Sequence, residues 1–237
     1  MSFMEDLLNR AENALQKSVD ETRSAIGITA TNIFDVVGKS FGYDNSVNSL
    51  EHYREASGKD VNIPSDTLRK FKTIRDAENK NQQRLFNTLA QQRNIHRINP
   101  DRTSEPVTID QLKDNDRIVL KDYFDADIKP DQEDNNGDQD LHYSLGNFKM
   151  RSNSNLQFVK FGDKLLPYGN VEHTINDVYD FNPGNRFNLL LSPMEKTGEA
   201  KIYTNKSTWK TQPIGVIRIN GNKLDTSGVE WHIIPPF

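Results

Sequence analysis

Residues 177 to 186 read DVYDFNPGNR. Asp177, Tyr179, Asp180 and Arg186 are residue types that together can handle a phosphate ester. Two carboxylates can hold a hard divalent cation through oxygen, and an arginine can neutralise phosphate charge by a two-pronged contact. A tyrosine hydroxyl can orient a substrate or an attacking water, and a carboxylate not spent on metal can take up a proton. The same residues also have a plainer use. Tyr179 can fill a core, Asp180 can cap a turn, and Arg186 can pair with a carboxylate.

The flanking pattern is that of a strand running into a turn. Alternation sends Val171, His173, Ile175, Asp177, Tyr179 and Phe181 to one face, and Thr174, Asn176, Val178 and Asp180 to the other. The run NPG at 182 to 184 suits a type II turn, with proline second and glycine third. For Asp177 and Asp180 to serve one site, the strand must bulge or stop near Tyr179.

Other chemistry has less support in the sequence. The five histidines, His52, His96, His142, His173 and His232, form no H-x-x-x-H or H-E-x-x-H pair, which argues against a zinc hydrolase. G-x-S-x-G, Walker A and G-x-G-x-x-G stretches are absent. The acidic segment 122 to 140 can be aligned with a calcium loop by taking Gly137 as its glycine. That puts Gln132 first and Tyr143 last, where an aspartate and a bidentate glutamate are needed, so a solvated acidic loop is expected instead. With no cysteine in 237 residues, disulfides, thiolate metal sites and thiol catalysis are excluded. A net charge of −4 leaves no basic stripe of the kind that attracts nucleic acid.

The elements that must carry these residues divide along the chain. Residues 1 to 95 read as helical. One stripe runs through Phe3, Leu7, Leu8, Ala11, Leu15, Val19, Thr22 and Ile26, and continues past an expected break near Gly27 through Ala30, Ile33, Phe34, Val37 and Phe41. A short helix is expected over NSLEHYREA, and a long one behind an N-cap at Ser65 with Leu68, Phe71, Ile74, Leu85, Phe86 and Leu89 as its apolar face. Residues 78 to 84, ENKNQQR, carry no apolar side chain and are expected in solvent. Residues 96 to 110 read as a linker. From 111 to 237 short strand-like runs dominate: DRIVL, LHYSLGNFKM, NLQFVKFG, NVEHTINDVYDF, FNLLL, AKIYT, IGVIRIN and VEWHII. The fold class expected is α+β, a helical N-terminal region followed by a mainly antiparallel β domain, with a half-open β-barrel as one form of it. No segment approaches the ~20 apolar residues that span a bilayer, and no signal-peptide pattern opens the chain.

DVYDFN resembles the signature of colicin M-type bacteriocins: Asp, any residue, Tyr-Asp-Phe-Asn, then a short loop to His-Arg. The resemblance covers about ten residues. It implies a half-open β-barrel catalytic domain and cleavage of lipid II, the undecaprenyl-pyrophosphate-linked peptidoglycan precursor, between lipid and pyrophosphate. It further implies a divalent ion, Mg2+ or Ca2+, and action on the periplasmic side. Carried over, it makes Asp177, Tyr179, Asp180 and Arg186 catalytic, with Asp177 and Asp180 holding metal and Asn182 and Asn185 contacting substrate. Two departures stand out: the loop to the arginine is one residue shorter, and Asn185 occupies the histidine position. His173 is the candidate replacement, although a straight strand sets it about 13 Å from Asp177. The implied partners are lipid II at the membrane surface, a cognate immunity protein, and a secretion machine or carrier engaged through the N-terminal helices. Two other readings stay open: a non-enzymatic structural or adaptor component of a phage or secretion particle, and a phosphodiesterase acting on another pyrophosphate or nucleotide.

Overall fold

A computed structural model describes residues 3–93, 95–130, 138–179, 186–221 and 223–235. The elements in chain order are α1 (Phe3–Phe41), α2 (Asp44–Arg54), β1 (Val61–Asn62), α3 (Ser65–Leu68), α4 (Lys72–Ala90), β2 (Ile95–Ile98) and β3 (Ser104–Pro106). After a short 3-10 turn come β4 (Arg117–Leu120), β5 (Tyr123–Ile128), α5 (Asp138–Leu145), β6 (Phe148–Phe161) and β7 (Lys164–Tyr179). The chain ends with α6 (Arg186–Thr197), β8 (Tyr203–Gly215), β9 (Ile217–Asn220), β10 (Lys223–Asp225) and β11 (Val229–Ile234). The fold is α+β as expected, helical to Ala90 and strand-rich beyond, with a sheet that does not close on itself.

Two compact units are interleaved in sequence. One holds residues 1–62, 130–146 and 177–205; the other holds 63–129, 147–176 and 206–237. The divisions fall inside β7 and inside β8 rather than at residues 95 and 110.

The second unit is built on the sheet. β6 pairs antiparallel with β7 from Met150↔Ile175 to Phe161↔Lys164. Along its other edge β6 pairs with β5 and then β4, and β4 leads on to β2 and β3. The segment read as a linker is thus part of the sheet: β2 and β3 pair with each other, fastened by Arg97 donating from Nε to Glu105 at 2.9 Å. Alternation along β6 is regular from Phe148 onward, which buries Met150, Ser152, Ser154, Leu156 and Phe158. Gly169 sits within β7 at φ +94°, where a Cβ would collide with the Asn155 carbonyl. Leu85, Phe86 and Leu89 of α4 pack with Ile118, Leu120, Leu156, Phe158 and Val171 to form the core, and Phe86 and Trp231 stack at 5.1 Å.

Several local expectations give way. The long helix expected from Ser65 is two helices, since α3 ends at Leu68 and α4 starts after Phe71. The polar run 78 to 84 is not solvated throughout: Glu78, Asn81 and Gln82 are buried. Its interior partners are polar as well. Asn81 Nδ2 donates to Ser152 Oγ at 2.9 Å, Gln82 Nε2 to Thr211 Oγ1 at 3.1 Å, and Trp209 Nε1 to Glu78 Oε2 at 2.9 Å. Arg69 completes the set by pairing with Glu78 at 2.9 Å. A sheet whose inner face carries hydroxyls and an imidazole accepts a helix with amides on its packed face.

In the first unit α1 packs on α6 and α2, and α2 packs on α5. α1 runs unbroken through Gly27, which is buried; a glycine costs about 1 kcal/mol in a helix, and packing overrides it. FNLLL, read as a strand, lies in α6, and LHYSL, also read as a strand, lies in α5; short apolar runs carry too little periodicity to separate the two states. Asp140, from the segment expected to be a solvated loop, caps α2. It accepts from Asn45 N at 3.1 Å, Ser46 N at 2.7 Å and Ser46 Oγ at 2.6 Å, satisfying amides that α2's own N-cap residue leaves open. The rest of the calcium-loop alignment, residues 131–137, lies outside the described residues.

Candidate active site

β7 stays regular to its last residue, so Asp177 and Tyr179 share the face that also carries Val171, His173 and Ile175. Asp177 and Tyr179 belong to the first unit, and His173 belongs to the second.

Tyr179 is buried in a cluster with Leu50, Tyr53, Leu191, Met194, Ala200 and Tyr203. Its ring stacks on Tyr203 at 5.1 Å and meets the edge of Tyr53 at 5.9 Å. These neighbours are anchored in turn. Tyr53 donates to Glu195 Oε1 at 2.7 Å, and Tyr203 donates to the Ser49 carbonyl at 3.0 Å. Burial pushes the Tyr179 phenol well above its usual range, and the Tyr203 phenol is raised to about 12 for the same reason, with the charge of Asp177 adding to it. Both phenols are protonated at neutral pH and can act only by hydrogen bonding, not as bases.

Asp177 is half-buried at the end of β7, beside this tyrosine pair. A second carboxylate, from α1, acts on Tyr179. Asp35 takes Arg54 Nη1 at 2.9 Å on Oδ2, while its Oδ1 is buried with no hydrogen-bond partner. Burial raises the Asp35 pKa against the opposing pull of Arg54, and its charge in turn helps to raise Tyr179. The sequence reading missed Asp35. Its one signal was that it is the only charged residue in the stretch 24 to 38.

Asp180, Asn182 and Asn185 lie outside the described residues, as does the side chain of Arg186, whose backbone opens α6. His173, the proposed stand-in for the missing histidine, is fully buried. Ser152 Oγ lies 2.8 Å from its Nδ1, Thr211 Oγ1 lies 2.9 Å from its Nε2, and Trp209 stacks on the ring at 5.3 Å. Burial lowers its pKa to about 4. Both ring nitrogens are occupied by core hydroxyls, which is the setting of a structural histidine rather than a proton shuttle.

The donor set suits a hard divalent cation in kind. Asp177 offers carboxylate oxygen, whereas Asp35 is held by Arg54 through Oδ2 and keeps only Oδ1 without a hydrogen-bond partner. Among the described residues no group of three or more histidine or acidic side chains comes together that could hold a metal ion.

Comparison with known proteins finds no match: no family model, no curated protein and no solved structure is similar to this chain at a significant level.

Proposed function

We propose that this chain is an antibacterial toxin that hydrolyses lipid II between the undecaprenyl group and the pyrophosphate, in the manner of the colicin M-type bacteriocins its motif resembles. The carrying observation is the placement of Asp177, half-buried near the end of β7 beside the Tyr179–Tyr203 pair.

In this reading Asp177 and Asp180 bind the cation and Arg186 neutralises the diphosphate. The cation, Mg2+ or alternatively Ca2+, would supply Lewis-acid polarisation of the diphosphate oxygens. A water attacks the phosphorus next to the lipid; the Asp180 carboxylate oxygen not engaged on the cation takes its proton and passes it to the undecaprenyl oxygen as the bond from that oxygen to phosphorus breaks. Asn182 and Asn185 contact the pyrophosphate. Tyr179 fixes the strand end by packing. His173 has no part in proton transfer, so the carboxylates carry the acid–base work that a histidine would otherwise share. Action at the periplasmic face, delivery by a secretion machine or carrier, and a cognate immunity protein in the producing cell complete the proposal.

Purified protein incubated with lipid II and Mg2+ should release undecaprenol, and Asp177→Asn should stop the release without lowering the melting temperature. No undecaprenol from the intact chain would remove the enzymatic reading. The burial of Tyr179 favours a second one, in which the motif only packs a core and the chain is a structural or adaptor component of a phage or secretion particle.

A further inference from the structure

α1 packs Ile28 and Phe34 against the core of its unit, yet much of its buried face is polar and much of its exposed face is aliphatic. The face packed within its unit buries Asp20, Ser24, Gly27 and Thr31, with Lys196 3.9 Å from Asp20 and Thr197 Oγ1 donating to Ser24 Oγ at 3.1 Å. The opposite face exposes Val19 at 43%, Ile26 at 49%, Ile33 at 61% and Val36 at 72%. A helix that hides small polar residues and shows β-branched aliphatic ones has apolar surface still to bury.

The exposed residues follow a heptad. Val19, Ile26 and Ile33 recur every seven residues, and Thr22, Thr29 and Val36 recur every seven between them, which is the a/d seam of a left-handed coiled coil. The two threonines fit a dry seam, because their hydroxyls are already used on their own helix. Thr22 Oγ1 donates to the Ser18 carbonyl at 2.9 Å, and Thr29 Oγ1 donates to the Ala25 carbonyl at 3.0 Å. Covering them leaves no donor unpaired.

We infer that this face pairs with the same face of a second copy of the chain, the two α1 helices running antiparallel. The seam complements itself under a two-fold axis passing between Gly27 and Ile28. Val19 then meets Val36 of the other copy, Thr22 meets Ile33, and Ile26 meets Thr29, so every layer joins a large residue to a small one or two of equal size. A parallel pair would stack threonine on threonine at two d layers, where parallel dimers favour leucine. The charges agree with the antiparallel arrangement. Along the seam's flanks Arg23 comes beside Ala30 of the other copy and Ala25 beside Asn32, so no like charges are brought together. Lys17 is already paired with Glu21 at 3.8 Å, and Lys39 with Glu51 at 2.8 Å. A lipid surface is a poorer occupant: helices that lie in a membrane interface carry lysine and arginine along their polar edge, and from residue 24 to 38 this one carries none. The seam is about 26 Å long at 1.5 Å per residue, so the dimer is expected to dissociate in the micromolar range.

Because the chain has no cysteine, cross-linking can read the geometry directly. Val19→Cys and Val36→Cys variants of the full chain, mixed and oxidised, should give a disulfide-linked dimer, while each alone should not, since like positions lie about 25 Å apart in the antiparallel pair. Sedimentation should show a concentration-dependent dimer whose dissociation constant rises about tenfold or more in Ile26→Glu, a change at an exposed position that leaves helicity and melting intact. A monomer at every concentration overturns the inference. So does Val19→Cys cross-linking to itself, which would make the pair parallel. Sedimentation with phosphatidylglycerol vesicles without dimer formation, abolished by Ile26→Glu, would assign the face to lipid and overturn it as well.

Discussion

Asp177 and Tyr179 are two residues apart on one strand face, yet their environments assign them different work. Tyr179 is walled in by two other tyrosines, and its ring is part of the packing there. Tyr179→Phe should keep the melting temperature within a few degrees, whereas Tyr179→Ala should cost about 3–5 kcal/mol in denaturant titration. If Tyr179→Phe keeps lipid II cleavage within about tenfold of the intact protein, the hydroxyl is not part of the chemistry. Asp177→Asn should instead lower cleavage by at least about a hundredfold, read as undecaprenol release, with stability unchanged. The sequence makes this pair legible because strand alternation is a local rule. It cannot show Asp35 and Arg54 joining the cluster, since a helix 140 residues upstream meets β7 only through tertiary packing.

Among the elements, β7 and α4 hold the most consequential disagreement between pattern and structure. A run without apolar residues, 78 to 84, reads as solvent-facing, yet Glu78, Asn81 and Gln82 line the helix face against the sheet. The signal would have had to come from the other side of the contact, where Ser152, Thr211 and Trp209 supply the hydrogen bonds, and no local window contains both. This network makes the fold sensitive to acid. The folded pKa of His173 is depressed to about 4 from an ordinary 6.5, so the folded state binds fewer protons than the unfolded state between those values. Stability is therefore full above pH 6.5 and falls as pH drops toward 4, by roughly 3 kcal/mol in all, with the carboxylates' own titration superimposed. Denaturant midpoints measured from pH 7 to 4 should show this loss, and His173→Gln, which cannot take up a proton, should flatten it while lowering stability at pH 7. An equal slope in both proteins would mean that the imidazole is not the acid-sensitive group.

Over the whole molecule, the change from helical to strand-like pattern near residue 95 is real, but it does not mark a separable module. Leu50 and Tyr53 of α2 form one core with Tyr179, Leu191 and Tyr203, so the early helices share a compact unit with the motif strand. Deleting residues 1 to 60 should therefore abolish cleavage together with delivery, and the truncated chain should lose part of its cooperative melting transition in circular dichroism. An active, fully cooperative truncation would show that the early helices do not support the site. The α+β class and most strands could be read from periodicity, because those signals are local; the interleaving could not, because it depends on which distant segments find one another. Among the described residues no helix is long and apolar enough to cross a membrane.

The interleaving also separates the order of synthesis from the order of completion. The unit that contains the N-terminus takes its last segment from residues 177–205, so it cannot close until Asn205 has left the ribosome, and the other unit waits for the segment after it. The helices of residues 1–62 must wait without their final partners until that segment is made, with aliphatic surface uncovered in the meantime.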